Sequence, residues 1–254
     1  MKIIRRILFF ILVIIIILGT VFYLSGKKLY DSKITEISID EKIASIKASE
    51  NFTPLSEVPD YYKNAVVSVE DRRYYSHGAV DFIALIRATI KNISQKEFRE
   101  GGSSITQQTA KNLYFIDESN VIARKAAEVL LSYELEKKYS KNDILEIYIN
   151  TIYFGNGYYG IKEACNGYLN KEPSEMNISE ATMLAGVPNA PSLYNPKANI
   201  DLTISRQKKV ISSMVENNYL TKEEANNIEL YNNNWYLLIA KEHKLSTFVF
   251  FLLI

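Results

Sequence analysis

The distribution of apolar residues divides the chain into a membrane anchor and a helical remainder. Residues 7–24, ILFFILVIIIILGTVFYL, carry no charge. Because about 20 apolar residues in a helix cross a bilayer core, this stretch predicts a transmembrane helix. Three basic residues precede it and favour a cytoplasmic N-terminus, whereas Lys27 and Lys28 follow it and weaken that preference. A cleaved signal peptide is the alternative, but no small-residue cleavage site follows the apolar run.

Beyond the anchor, the pattern predicts helices. No proline occurs between Asp60 and Glu172, and proline breaks helix interiors. Apolar spacing and capping residues predict helices over 61–70, with Asp60 as cap, over 121–139, after Ser140 with Asp143 in a capping box, and over SEATMLAG with Ser179 as cap, ending at Gly186. Because strand patterns are weak, we predict a mostly α fold behind a single N-terminal transmembrane helix.

These patterns suggest four segments. We assign residues 1–24 to the cytoplasmic tip and anchor, 25–51 to a stalk, 52–228 to the functional domain and 229–254 to an atypical tail. The tail ends in seven apolar residues, which are too few to span a bilayer as a helix. One interpretation is that this tail marks a truncated, once longer protein.

Composition narrows the function only slightly. Hydrophobic residues make up 47% of the chain, which allows a sizeable core. The 30 basic and 29 acidic residues nearly cancel, so net charge gives no reason to expect a nucleic-acid partner. The single cysteine, Cys165, excludes an intramolecular disulfide framework, and we predict that it is a small buried side chain.

Two short stretches place carboxylates beside cations. Glu70 and Asp71 lie at the end of a predicted helix, where a carboxylate is a candidate general base. The alternative is a solvated helix end with charge pairs. Arg124 and Glu128 are four residues apart and share a helix face. They form either an acidic and cationic pair in a cleft or a surface salt bridge.

The stretch GGSSITQQTAKN, residues 101–112, is unusually polar. Its glycines let the backbone approach a ligand, and its hydroxyl and amide side chains suit sugar hydroxyls. Lys111 adds a point charge suited to phosphate. The alternative is a polar helix start capped by serine.

Four motifs in order resemble a known family. The stretches EDRRYYSHGAVD, GGSSITQQTAKNLYF, RKAAEVLLSYELEKKYSKNDILEIYINTIYFGNGYYGIKEAC and ATMLAGVPNAPSLYNP are similar to the signature motifs of the peptidoglycan glycosyltransferases. These are the transglycosylase domains of class A penicillin-binding proteins and of monofunctional transglycosylases. The resemblance implies a lysozyme-like, two-lobed helical domain outside the cytoplasmic membrane. It also implies polymerisation of lipid II onto a growing lipid-linked glycan, with release of undecaprenyl pyrophosphate.

The resemblance also assigns roles to residues. It makes Glu70 the general base and Glu128 the second catalytic glutamate, in the donor site. Lys111 and Arg124 match the positions that stabilise pyrophosphate. Further candidates for binding substrate are Asp71, Arg73, Arg87, Ser103, Gln107 and Gln108. A divalent metal ion, Mg²⁺ or Mn²⁺, is an optional assistant, and we expect no organic cofactor.

The expected partners are lipid II, the growing glycan, the cell membrane and other cell-wall synthesis proteins.

Three departures from the family pattern stand out. Gly78 directly follows His77, one position early, and Ser104 replaces a common threonine. The chain has no cation between Lys111 and Arg124. It also has no KTG motif, so we do not expect penicillin to acylate it.

Two alternatives to the polymerase stay open at this stage. The first is a non-catalytic, membrane-anchored scaffold of a cell-wall synthesis complex. The second is a lytic enzyme that cleaves peptidoglycan, which has less support because glycosidic hydrolysis requires no pyrophosphate site.

Overall fold

A computed structural model describes residues 2–95 and 102–231, and twelve α-helices account for most of them. The helices are α1 Lys2–Glu36, α2 Ile39–Lys47, α3 Asp60–Glu70, α4 Phe82–Gln95, α5 Ile105–Ala110, α6 Val121–Lys138, α7 Lys141–Thr151, α8 Gly160–Leu169, α9 Ile178–Gly186, α10 Pro191–Tyr194, α11 Ile200–Glu216 and α12 Lys222–Asn227. A π-helix, Lys111–Phe115, directly follows α5. Short 3₁₀ turns lie at Leu55–Glu57, Tyr74–Ser76, Pro173–Glu175 and Val187–Asn189.

The mostly α prediction is confirmed. Across the described ranges, pairing of extended backbone is limited to an isolated antiparallel bridge between Tyr153 and Tyr159. The described residues group into two compact units. Of the described residues, the first unit contains 2–56, 70–95 and 102–152, and the second contains 57–69 and 153–231.

Helix α1 is longer than the predicted anchor. It is the one helix among the described residues that is long and apolar enough to cross a membrane. At roughly 1.5 Å of rise per residue, its 35 residues extend about 52 Å. The hydrocarbon core of a bilayer is only about 30 Å thick. The segment that we assigned to a stalk therefore begins as a continuation of this helix, and the exact segment boundaries stay a prediction.

The core of the first unit is formed by α5, α6 and α7. Its buried side chains are mainly aliphatic and include Ile105, Leu131, Leu135, Ile144 and Leu145. The predicted capping box at the start of α7 is confirmed, because Ser140 accepts from the Asp143 amide while the Asp143 side chain accepts from Ser140. Helix α6 matches the predicted 121–139 to within one residue.

The second unit contains α8 to α12 and most of α3. On α3, Tyr62, Ala65 and Val66 are buried. Asp60 is the first residue of the helix and not its predicted cap, because the Pro59 carbonyl accepts from the Tyr62 amide at 3.0 Å. Gln207 of α11 is fully buried and donates to the Ser179 carbonyl at 2.9 Å.

The start of α9 was also predicted wrongly. Ser179 does not cap α9, because Asn177 does: its side chain accepts from the Glu180 amide at 2.9 Å, and the Glu180 side chain accepts from the Asn177 amide at 2.9 Å. This reciprocal pair satisfies two free amides at once, which a serine two residues later does not match. The buried position of Cys165 is confirmed. Burial raises the pKa of its thiol. Gly101 and most of the predicted tail, residues 232–254, lie outside the described residues.

Candidate active site

Glu70, the candidate base, ends α3 and is held by the polar stretch after Gly102. Its Oε2 accepts a hydrogen bond from the side-chain amide nitrogen of Gln108 at 3.0 Å. The side-chain oxygen of Gln108 in turn lies 3.5 Å from the hydroxyl of buried Tyr148 on α7. Two predicted site residues are thus brought together. Tyr148 fixes which end of the Gln108 amide faces the carboxylate, because its hydroxyl donates to the amide oxygen.

Asp71 is buried next to the base and ties three segments together. Its Oδ2 accepts from the Ile105 amide at 3.0 Å, and its Oδ1 lies 2.8 Å from Nε2 of His77. Burial raises the pKa of Asp71, although the hydrogen bond from His77 opposes the rise. These contacts make Asp71 a support for the start of α5. The direct contact with substrate that the resemblance implies for Asp71 stays a prediction.

Arg73 forms a paired site of its own. Its Nε donates to Asp81 at 3.0 Å, and its Nη2 donates to the other carboxylate oxygen. Burial alone raises the pKa of Asp81, but Arg73 and the amide of Ala84 together lower it below its ordinary value. Arg73 therefore holds the start of α4 through Asp81, so much of its charge is already neutralised.

Arg87 lies apart from these contacts. It is a half-buried residue of α4 and lines an open groove of about 510 Å³ with Ile83, Ile86, Ile90 and Lys91. The contacts of the described residues do not connect Arg87 to either glutamate. Its predicted role stays a prediction.

The polar stretch divides into capping and site residues. Ser104 caps α5: its hydroxyl accepts from the Gln107 backbone amide at 3.2 Å, and the Gln107 side-chain oxygen accepts from the Ser104 amide at 3.0 Å. For these two residues, the structure therefore shows the alternative of a serine-capped helix start. Ser103 precedes the cap, and its hydroxyl accepts from Lys125 at 3.1 Å. Ser103 and Gln108 face the charged groups, while Gln107 maintains the helix start.

Glu128 is fully buried on α6 and is surrounded by cations. Lys125 donates to its Oε2 at 2.6 Å, and Nε of Arg124 lies 3.5 Å from its Oε1. Within the described residues, neither Oε1 of Glu128 nor Nε of Arg124 has a hydrogen-bond partner, although both atoms are buried. Arg124 also donates through Nη1 to the Glu118 carbonyl at 2.9 Å. Arg124 and Glu128 therefore form the salt bridge of the alternative interpretation, but it is not a surface bridge, because the Glu128 side chain is buried.

Lys111 lies at the junction between α5 and the π-helix. It directly follows Ala110, the last residue of α5, and begins the π-helix, a conformation in which a longer turn reorients side chains. Its side chain is half-buried, and the described part of the chain offers it no ion-pair partner. A cation without a carboxylate partner is free to bind an anionic ligand.

Lys125 is a site residue that the sequence analysis missed. It connects Ser103 to Glu128, and thus joins the second motif to the third. Its spacing of three residues from Glu128 was sufficient to find it, since side chains at i and i+3 meet on a helix. It also supplies a cation that the segment between Lys111 and Arg124 lacks.

The described residues do not form a ready site for a divalent metal ion. Asp71, His77 and Asp81 place donor atoms within 4.8 Å of one another. However, the carboxylate oxygens of both aspartates already accept hydrogen bonds. The Ile105 amide donates to Asp71, and Arg73 and the Ala84 amide donate to Asp81. Glu128 offers a single carboxylate beside two cations, whereas Mg²⁺ prefers an octahedron of oxygen ligands. The predicted metal therefore stays a prediction.

Comparisons with known proteins identify the family of this chain. The Transglycosylase family model matches residues 39–215. Penicillin-binding protein 4 of Bacillus subtilis (strain 168) is 37% identical over 187 residues, covering 74% of this chain and 30% of that protein. Penicillin-binding protein 1A of Neisseria lactamica is 40% identical over 203 residues, covering 78% of this chain and 25% of that protein. The chain thus spans less than a third of these relatives' length.

A solved structure gives a weaker comparison. Penicillin-binding protein 1A from Haemophilus influenzae aligns over 54% of this chain and 19% of its own, at 23% identity and a TM-score of 0.32. That score is too low to carry an argument about the fold. The family match covers most of the chain and includes both glutamates and the cations around them. On that ground, the chain belongs to the Transglycosylase family.

Proposed function

We propose that this protein polymerises peptidoglycan glycan chains from lipid II. The growing glycan, carried on undecaprenyl pyrophosphate, is the donor, and the 4-hydroxyl of the next lipid II is the acceptor. The observation that carries the proposal is the presence of two distinct groups in the first unit. One is the hydrogen-bonded carboxylate of Glu70, and the other is a set of cations on α6 and the π-helix. One group serves proton transfer and the other serves a leaving phosphate.

In this proposal Glu70 is the general base. A sugar hydroxyl is a weak nucleophile at neutral pH, so a carboxylate must take its proton as the new bond forms. Gln108 donates to one oxygen of Glu70, which orients the carboxylate. The proton of the acceptor hydroxyl moves to Glu70 while the hydroxyl oxygen attacks the anomeric carbon of the donor.

The cations act on the leaving group. As the anomeric carbon–oxygen bond breaks, negative charge grows on the departing pyrophosphate, and pre-placed cations stabilise it. Lys111 has its charge available, whereas Arg124 and Lys125 share the carboxylate of Glu128. The guanidinium of Arg124, whose side chain is 21% exposed, is a fork of donors suited to phosphate oxygens. Glu128 holds the two cations in place by charge attraction.

The same proposal places the protein in the cytoplasmic membrane. Helix α1 is its single span, with the N-terminus inside and the catalytic domain outside. Both substrates carry polyprenyl tails, so an anchored enzyme meets them at a high effective concentration. Other cell-wall synthesis proteins are expected partners.

The test is polymerisation of labelled lipid II by the purified full chain in detergent, with Glu70→Gln as the matched variant. We expect lysozyme-sensitive polymer from the parent and none from Glu70→Gln. Assays with added Mg²⁺ or with EDTA test the predicted metal. If both proteins bind lipid II and neither polymerises it, the proposal is refuted and a scaffold role is supported. Release of glycan fragments from purified peptidoglycan would instead support the lytic alternative.

A further inference from the structure

The membrane helix continues into the unit that carries the site. From Ser25 onwards α1 packs against α6 and buries Gly26. A Cβ atom added at Gly26 would lie 2.7 Å from the Ala126 carbonyl carbon and 2.8 Å from the Ala127 nitrogen. By contrast, Gly19 of the same helix has open space around it. Gly26 is therefore a point of close backbone approach, which a side chain would prevent.

The contact falls on the turn that carries the charged group. Ala126 and Ala127 are the two residues between Lys125 and Glu128, and both are buried. One side of this turn faces the anchor, while the other side presents the cations and the carboxylate. A shift of the α6 backbone at the alanines would move Lys125 and Glu128 with it, because one helical turn moves as a rigid element.

Polar contacts continue the same attachment. Tyr30 of α1 donates its hydroxyl hydrogen bond to Glu134 of α6. The hydroxyl of Tyr114, in the π-helix, donates to the Ile37 carbonyl at 3.0 Å. The segment 25–37 thus contacts both elements that carry the cations.

The position along α1 matches the membrane surface. The apolar stretch ends at Leu24, and Gly26 follows two residues later, about 3 Å along the helix axis. The turn of α6 that carries Lys125 and Glu128 is therefore docked where the apolar span ends. That is the depth of lipid head groups, and a pyrophosphate attached to a membrane-embedded tail lies at the same depth.

We propose that Gly26 is a positioning residue, through which the anchor helix sets the cations of α6 at the depth of a lipid-linked pyrophosphate. The inference rests on the proposed function, since it names how that site meets its substrate. In this proposal, segment 25–37 supports the binding site, so α1 positions the cations in addition to anchoring the chain.

The test compares Gly26→Ala with Gly19→Ala in the full chain. Alanine is the better helix former at both positions, so helix propensity does not explain a loss confined to Gly26→Ala. Three readouts are measured in nanodiscs: polymerisation of lipid II, binding of undecaprenyl pyrophosphate, and hydrogen exchange of the α6 amides. For Gly26→Ala we expect at least tenfold weaker pyrophosphate binding, a matching rise in KM and faster exchange over 121–138. For Gly19→Ala we expect changes below twofold.

Each outcome decides the proposal. If α6 exchanges faster in Gly26→Ala but pyrophosphate binding is unchanged, the contact stabilises the fold alone and the positioning role is refuted. Equal behaviour of the two variants refutes it as well. If the parent binds undecaprenyl pyrophosphate but makes no polymer, the proposed function fails separately, while the binding comparison still decides the role of Gly26.

Discussion

Replacing Lys125 by methionine probes the buried charge on α6. Methionine keeps a long apolar stem but removes the ammonium group. That group lies 2.6 Å from Oε2 of Glu128, whose side chain is 1% exposed. After the substitution, Arg124 is the remaining cation, and its Nε is 3.5 Å from the other carboxylate oxygen without a hydrogen bond. The carboxylate is then both desolvated and incompletely paired.

The expected loss of stability follows from the burial of each partner. Removing one member of a buried ion pair costs about 3–5 kcal/mol, because the other charge stays uncompensated. The Lys125 side chain is 42% exposed, so solvent screens part of its attraction. Arg124 supplies further compensation. We therefore expect the free energy of unfolding to fall by about 1–3 kcal/mol.

Urea unfolding in detergent, followed by circular dichroism, measures this loss. Lys137→Met is the matched control, because Lys137 lies in the same helix and is exposed. We expect the control to change stability by less than about 0.5 kcal/mol. A double-mutant cycle with Glu128→Gln isolates the pair, and a coupling energy above about 1 kcal/mol is expected.

The same variants test the chemistry. If Lys125 stabilises the departing pyrophosphate, Lys125→Met lowers the polymerisation rate by about a hundredfold, as removal of a transition-state donor commonly does. Lys137→Met leaves the rate unchanged. Equal stability of Lys125→Met and Lys137→Met, with a coupling energy near zero, would contradict the reasoning about Glu128. A large stability loss with an unchanged rate would show that Lys125 is purely structural.

Three further predictions follow from the contacts of α5. The pKa of Asp71 is raised in the folded protein, so its contribution to the free energy of unfolding is complete below its ordinary pKa, about 4, and is lost as pH rises through the raised value. In urea unfolding, Asp71→Asn should therefore become progressively more stable relative to the parent as pH increases. A stability difference that does not change with pH would refute this. Ser104→Ala removes a helix cap and should cost about 1 kcal/mol in urea unfolding, whereas Ser119→Ala, at an exposed position that caps no helix, should cost nothing measurable. Gln108→Leu removes the hydrogen bond to Glu70 and should lower kcat about tenfold with KM unchanged, as measured by lipid II turnover, and an unchanged kcat would argue against orientation of the base.

Local sequence determined much of the fold. The limits of α6 and the capping box at Ser140 were predictable, because each depends on residues within a few positions of one another. Asn177 was missed as the cap of α9 because Ser179, two residues later, is also of a residue type that commonly caps helices. Asn177 caps the helix instead of Ser179 because Glu180, three residues after Asn177, forms reciprocal hydrogen bonds with it.

Other features depended on contacts that the sequence does not display. The continuation of α1 to Glu36 was hidden by its charged residues, which resemble a solvated stalk. Those positions nevertheless alternate with residues that pack on α6, such as Gly26. In the site, family motifs supplied Glu70 and Glu128, but they did not show that Arg73 is engaged by Asp81. Such pairing requires three-dimensional proximity and is not encoded by spacing alone.

The reciprocal caps have a consequence for how the chain folds. Within the described residues, α2, α5, α7, α9 and α12 each begin with a cap and a partner three residues later that bond to each other's amides. Each of these starts is therefore fixed inside a window of four residues, before distant segments meet. Since chains dominated by local contacts fold faster than those that require long-range pairing, helix limits should form early and leave packing between helices as the slow step.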